Sequence, residues 1–279
     1  MRVRAFAKIN LSLRVLGTRP DGYHELRTIF QSIALHDTLT VRRTREPFSF
    51  STDDPACPPD SSNLVWRAAD RMWTAARKPG APHGVSIHLA KRIPLQAGLG
   101  GGSSDAAAAI RALGSLWRVP QADQRRIGAA LGADVPYFFE GGTALGRDRG
   151  DRIEPLPDCT LAWVVLVLPS FGVSTADAFG WWDLDRPPVE RGARGRDRVN
   201  DLEKPVAKRH PDIARLVRAL KRHGAFQAAM TGSGSTVFGL FSRQSTALDA
   251  ASALFNAGAR TLLTRTVSRR AYRRELAAK

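Results

Sequence analysis

Cysteine, lysine and long apolar runs are scarce in this 279-residue chain, and its acids are outnumbered by its bases. Two cysteines, Cys57 and Cys159, build neither a disulfide framework nor a cysteine-rich zinc site, which points to a reducing, cytoplasmic setting. The longest apolar run, Leu161 to Leu168, is strand-sized and well short of the ~20 residues of a membrane span. The N-terminus enters a strand-like alternation at once, with no signal-peptide core. Against 42 Lys and Arg stand 26 Asp and Glu, a net charge of +16. The excess is nearly all arginine, densest at Arg191–Arg198 and Arg269–Arg274. It suits a nucleic-acid binder or an enzyme of polyanionic small molecules, and charge alone does not choose between them. The length and 43% apolar content fit one large or two medium globular domains.

What is abundant is glycine in one place. Residues 93–105 read Ile-Pro-Leu-Gln-Ala-Gly-Leu-Gly-Gly-Gly-Ser-Ser-Asp, followed by four alanines and Ile110. Four glycines in five residues weaken helix and strand alike, so the run belongs where backbone amides must approach something closely. Ser103, Ser104 and Asp105 are good N-cap types, and the apolar spacing through Leu113 predicts a helix after them. A glycine loop opening a helix favours anions through free amides and the helix dipole. Without a Lys after the glycines it is not a Walker A loop, and Ser103 breaks the dinucleotide pattern G-x-G-x-x-G. A flexible linker or a tight packing point remains open on this stretch alone.

Residues 3–15 alternate as a strand, with Val3, Ala5, Ala7, Ile9, Leu11, Leu13 and Val15 on one face. Lys8, Asn10 and Ser12 share the other face. Gly17–Gly22 is a turn that delivers Tyr23 and His24, an aromatic and an imidazole able to stack on and hydrogen-bond to a base. Short strands are expected at 38–41 and 48–50, a helix from Asn63 to Ala76, and a strand at 85–89. A helix over 122–131 precedes Gly132-Ala133-Asp134-Val135-Pro136, where an acid in apolar surroundings is either a cap or a group with a partner. Leu161–Leu168 reads as a buried central strand, and a short helix carries Phe179. Residues 185–198 read as a mobile surface loop. Beyond it come a helix at 211–222, strands at 226–231 and 236–241, a helix at 247–257 and a strand at 260–267. The second half therefore has a ferredoxin-like β-α-β-β-α-β order.

Taken together, Ala7-Lys8-Ile9-Asn10-Leu11, Gly22-Tyr23-His24, the Lys91–Ala107 segment, Gly132–Pro136, Asn200-Asp201-Leu202-Glu203 and Thr231-Gly232-Ser233-Gly234 occur in one order. With them the chain resembles the GHMP small-molecule kinases from Ala7 to about Phe241. The resemblance implies an α+β, two-domain fold. A mixed β/α ATP-binding domain would span 1–155 and a ferredoxin-like domain 156–279. It implies ATP and Mg²⁺ as cofactors, with the metal's protein ligands unassigned. Lys8 and Asp134 would be catalytic, Asp134 as general base. Asn63, Leu64, Lys91, Pro94, Ala97, Gly98, Leu99, Gly100, Gly101, Gly102, Ser103 and Ser104 would hold ATP. Asn10, Tyr23, His24 and Phe179 would hold the alcohol substrate, and Gly-Tyr-His with Gly-Ala-Asp-Val-Pro suggests one bearing cytidine diphosphate. A homoserine or mevalonate kinase type is the alternative. The expected state is monomer or homodimer, without nucleic-acid or membrane partners; an RNA-binding protein using the arginine clusters is the rival from another class.

Overall fold

The computed structural model describes residues 1–185 and 200–276. In chain order the elements are β1 (Arg2–Thr18), β2 (His24–Pro47), β3 (Ser49–Thr52), α1 (Leu64–Ala75), β4 (His83–Ala90), α2 (Gly101–Trp117) and α3 (Gln121–Leu131). Then follow α4 (Tyr137–Glu140), β5 (Thr143–Arg147), β6 (Arg152–Pro155), β7 (Trp163–Leu168), α5 (Thr175–Leu184), α6 (Glu203–Arg209) and α7 (Asp212–Arg222). The chain closes with β8 (Gln227–Met230), β9 (Val237–Phe241), α8 (Gln244–Asn256), β10 (Arg260–Arg265) and α9 (Arg269–Leu276).

Among the described residues the strands form two sheets. The six-stranded sheet runs β3-β4-β2-β5-β6, with β1 also paired to β2. Its spine is β2, a 24-residue strand where short separate strands were expected. One edge of β2 pairs with β1 over most of its length; the other pairs with β5 early and β4 late. The four-stranded sheet is antiparallel in the order β10-β7-β9-β8, the ferredoxin-like arrangement, with β7 inside it. The fold is α+β, with mixed strands and helices in both halves.

Period-two alternation explains how the sheets are covered. On β7, Val165 and Val167 face the helices of the C-terminal half, beside Leu220 and Leu254. Val164 and Leu166 face the other way, into a layer with Ala7, Ile9, Ile33, Ile93 and Leu99. Val3 and Ala5, by contrast, join the N-terminal core with α1 and α2. Strand β1 is thus buried on both faces, and Lys8 and Asn10 lie inside rather than on a solvent face. Register shifts between Phe6 and Lys8, and between Asn10 and Ser12, bend β1 at the two polar residues. Bulges of this kind re-aim side chains beside functional sites.

Two helices depart from expectation. Helix α6 includes Pro205, which the first turn of a helix tolerates because that N–H has no intrahelical partner. Helix α9 forms from the arginine cluster at 269–274 by burying Tyr272 against Phe6. The surface-loop reading of 185–198 and the Arg191–Arg198 cluster lie outside the described residues, apart from Asp185. No helix among the described residues is long and apolar enough to cross a membrane.

Candidate active site

Helix α2 begins at least three residues earlier than its serines suggest. Gly100, with φ +71°, is the N-cap, and Ser103, Ser104 and Asp105 fall inside the helix. Two glycines are required by contact as well as by backbone angle. A Cβ on Gly98 (φ +71°) would stand 2.4 Å from Thr231 O. One on Gly100 would meet the Phe138 ring at 2.8 Å and Lys8 Cε at 3.1 Å. The first glycine loop is therefore wedged between the second, at 231–234, and the Lys8 side chain. The Lys8 N–H completes the junction by donating to Leu99 O at 3.0 Å. The first-turn amides of α2 have no carbonyl one turn back to bond. With the helix dipole they make the rim of the loop an anion site.

The loop from Gly98 to Ser103 lines a cavity of about 660 Å³ that also reaches Lys8, Asn10, Asp134 and Phe179. A larger cleft of about 1030 Å³ lies across the 91–97 segment beside α7 and α8, but neither Lys8 nor Asp134 lines it. The candidate catalytic pair therefore belongs to the smaller cavity.

Lys8 Nζ stands 3.3 Å from Asp134 Oδ2; the lysine side chain is 4% exposed and the aspartate 32%. That asymmetry matters. A buried ammonium must be fully paired, while a carboxylate at the mouth can still meet an incoming hydroxyl. Lys8 Nζ also donates to Asn10 Oδ1 at 2.8 Å. Asn10 Nδ2 donates to Thr28 Oγ1 at 2.7 Å, and that hydroxyl donates to Ser12 O. Thr231 Oγ1 accepts the Asn10 N–H at 3.0 Å, tying the second glycine loop to the same strand. The second loop is held in turn by Asn200, whose amide donates to Met230 O and Gly232 O.

The far end of the cavity is aromatic. His24 stacks on Phe179 with ring centroids 4.6 Å apart, and Trp182 meets it edge-on. Asp183 Oδ1 sits 2.9 Å from His24 Nε2. Tyr23 is 58% exposed, with the Arg149 guanidinium 5.1 Å above its ring. Asp151 binds that guanidinium through two hydrogen bonds, which raise the Arg149 pKa further.

The residues expected to touch ATP do not all face the cavity. Leu64, Pro94, Ala97, Leu99 and the run Gly98–Ser103 line it. Asn63 is the N-cap of α1: its Oδ1 accepts the Val65 N–H and its Nδ2 donates to Pro58 O. Ser104 Oγ donates inward to Phe6 O. Lys91 is an edge residue of the cavity, but its ammonium is buried between Asp37 and Asp105. Asn10 reaches the cavity wall with its carboxamide already engaged. Tyr23 and His24 stand at its margin, outside the lining.

Sequence reasoning passed over Asp37, Thr28, Arg149 and Asp183. Asp37 had a legible signal, a lone acid inside an apolar strand pattern. The other three had none, because the contacts that bring them to the site, Asn10 for Thr28, Tyr23 for Arg149 and His24 for Asp183, are distant in sequence.

Comparison with known proteins gives the class first. The family described as GHMP kinases N terminal domain matches residues 63–142, and GHMP kinases C terminal matches 185–260, so the chain is a small-molecule kinase. A protein of Moorella thermoacetica named 4-diphosphocytidyl-2-C-methyl-D-erythritol kinase is 43% identical, over 94% of this chain and 98% of its own. A crystal structure of 4-(cytidine 5'-diphospho)-2C-methyl-D-erythritol kinase superposes with a TM-score of 0.80 at 36% identity, covering 95% of this chain and 99% of that one. A homoserine kinase from Cytophaga hutchinsonii, at 18% identity and a TM-score of 0.67 over 96% and 95% of the two chains, shares the fold alone. The chain belongs to the 4-diphosphocytidyl-2-C-methyl-D-erythritol kinase family of the GHMP kinases.

Proposed function

We propose that this protein transfers the γ-phosphoryl group of ATP to the 2-hydroxyl of 4-diphosphocytidyl-2-C-methyl-D-erythritol, in the non-mevalonate route to isoprenoid precursors. The observation that carries the reading is the Lys8–Asp134 pair, 3.3 Å apart beside the amide-lined mouth of α2. Phosphoryl transfer asks the protein for positioning and charge compensation rather than covalent chemistry. Asp134 accepts the proton of the attacking hydroxyl, which adds to the γ-phosphorus as ADP departs. Lys8 pairs with that carboxylate and balances charge on the transferred group. Gly98–Ser103 hold the polyphosphate through backbone amides. Tyr23, His24 and Phe179 take the cytosine, supplying binding energy remote from the reacting atoms.

The described residues build no all-protein cage for Mg²⁺. Among the described residues no group of three or more His, Cys, Asp or Glu could hold a metal. Mg²⁺ keeps several waters and rides on phosphates, so it enters here as part of a Mg–ATP substrate. The domain division at residue 155 and a cytoplasmic location belong to the same reading.

An ADP-release assay with the cytidyl substrate tests it. Asp134→Asn is expected to lose about 10²- to 10⁴-fold in turnover, the range of general-base contributions, while still binding nucleotide. A near wild-type rate would remove the base assignment. Thermal stabilisation by homoserine or mevalonate, and not by CDP, would remove the substrate.

A further inference from the structure

Beneath the glycine loop lies a cluster that the reaction itself does not use. Asp37, Lys91 and Asp105 are all buried. Asp37 accepts from Lys91 Nζ, from the Arg92 N–H and, at 2.7 Å, from the Ile93 N–H. Lys91 Nζ also reaches Asp105 Oδ2 at 3.0 Å. Arg92 and Ile93 enter the glycine loop, and Asp105 leaves it on the second turn of α2. One ammonium therefore ties the loop's two ends together.

We propose that Asp37, Lys91 and Asp105 form a charge-neutral clamp that sets the span of the glycine loop, with Asp105 held as the neutral acid. The two carboxylates differ in their partners. Asp37 Oδ1 accepts two backbone N–H groups and its Oδ2 accepts the Lys91 ammonium, so both of its oxygens have N–H donors. Asp105 Oδ1 is buried with no hydrogen-bond partner among the described residues. An ionised oxygen so placed carries a large desolvation cost, and a protonated one a much smaller cost. Burial pushes the Asp105 carboxyl well above the usual carboxylate range; Lys91 pulls it down and Asp37 pushes it further up. Burial alone would lower the Lys91 ammonium, but the two acids outweigh it and hold it charged.

The other titratable groups near the cluster are Asp53, Arg92 and Cys57. Asp53 accepts the Lys91 N–H and pairs with Arg92. The Cys57 thiol is pushed up by burial and stays neutral. Neutrality has a consequence for the site. Lys91 Nζ lies 3.0 Å from where a Cβ of Gly101 would stand, directly under the first residue of α2. A second buried negative charge there would oppose the nucleotide's phosphates. The neutral acid leaves the field of the helix amides intact.

Two measurements test the clamp; the kinetic one rests on the kinase reading and the spectroscopic one does not. Infrared difference spectra of the nucleotide-free protein at neutral pH, wild type minus Asp105→Asn, should show one protonated-carboxyl C=O band that shifts in D₂O. A difference spectrum showing only carboxylate bands overturns the neutral assignment. Asp37 does not line the cavity, so its effect on nucleotide can only be indirect. Asp37→Asn should raise KM for ATP about tenfold, and Asp105→Asn less than about threefold, with KM for the alcohol within about twofold in both. Equal changes in the two KM values, or an Asp105→Asn defect as large as that of Asp37→Asn, overturn the clamp.

Discussion

The two ends of the cavity are built in opposite ways. At the donor end almost everything is backbone. Gly98 and Gly100 sit at φ +71° with no room for a Cβ, Leu99 O is bonded to β1, and buried side chains brace the loop from behind. At the acceptor end the surface is side chain: Tyr23 is largely exposed, and His24 rests on Phe179 with Asp183 beside it. The contrast follows from the two ligands the site is read to bind. Phosphates are recognised by amides that every residue carries, so rigidity of the chain trace is what matters. A base is recognised by ring faces, which rotamers can offer and withdraw.

The sharpest way to break the comparison is at the junction of the two ends. Lys8→Met removes the cation that both the loop and Asp134 lean on. It should lower kcat by about 10²- to 10³-fold, the cost of losing one preorganised donor, in the same ADP-release assay. Gly98→Ala attacks the donor end alone. The new methyl would meet Thr231 O at 2.4 Å in a left-handed backbone, and strain of about 1–3 kcal/mol is expected. Calorimetry should show a lower Tm together with weakened ATP binding, while CDP binding is spared. Tyr23→Ala attacks the acceptor end alone. Loss of one stacking face worth about 1–3 kcal/mol should raise KM for the cytidyl substrate and leave KM for ATP unchanged. An equal effect on both substrates would erase the distinction between the ends.

The smallest effect is one of pH. The folded-state pKa of Asp105 is raised above the unfolded value, chiefly by burial. As pH rises above about 3.9 the unfolded chain loses this proton first. The stability supplied by the proton is therefore full below that pH and is lost as pH climbs through the raised folded value. Wild type should lose Tm relative to Asp105→Asn on going from pH 4 to pH 8. A constant difference between them would show that Asp105 does not titrate abnormally.

Legibility in the sequence followed the range of the interactions. Strands β1, β4 and β7 announce themselves by alternation or by a continuous apolar run, and α1, α2 and α7 by periodic apolar residues. The N-terminus of α2 was misplaced because serines and aspartate are good caps, whereas here the cap is a glycine pressed against Lys8 and Phe138. Helix α9 was hidden because half of its residues are arginine; what holds it is the buried Tyr272, whose hydroxyl donates to Phe138 O. Lys91 was read as an ATP contact, but the direction of its ammonium was invisible, since only packing sets Asp37 and Asp105 on either side of it.

By itself the sequence determined the local grammar: a glycine loop opening a helix, a polar pair inside a first strand, an acid among apolar residues, and the β-α-β-β-α-β order of the second half. These are short-range properties, carried by backbone freedom and by the spacing of apolar side chains. Only the tertiary structure decided that β1 is buried on both faces, that the two glycine loops interlock at Gly98 and Thr231, and that Lys8 meets Asp134. The physical reason is that a buried charge needs its partners in space, and spacing along the chain does not reveal which strands and helices will supply them.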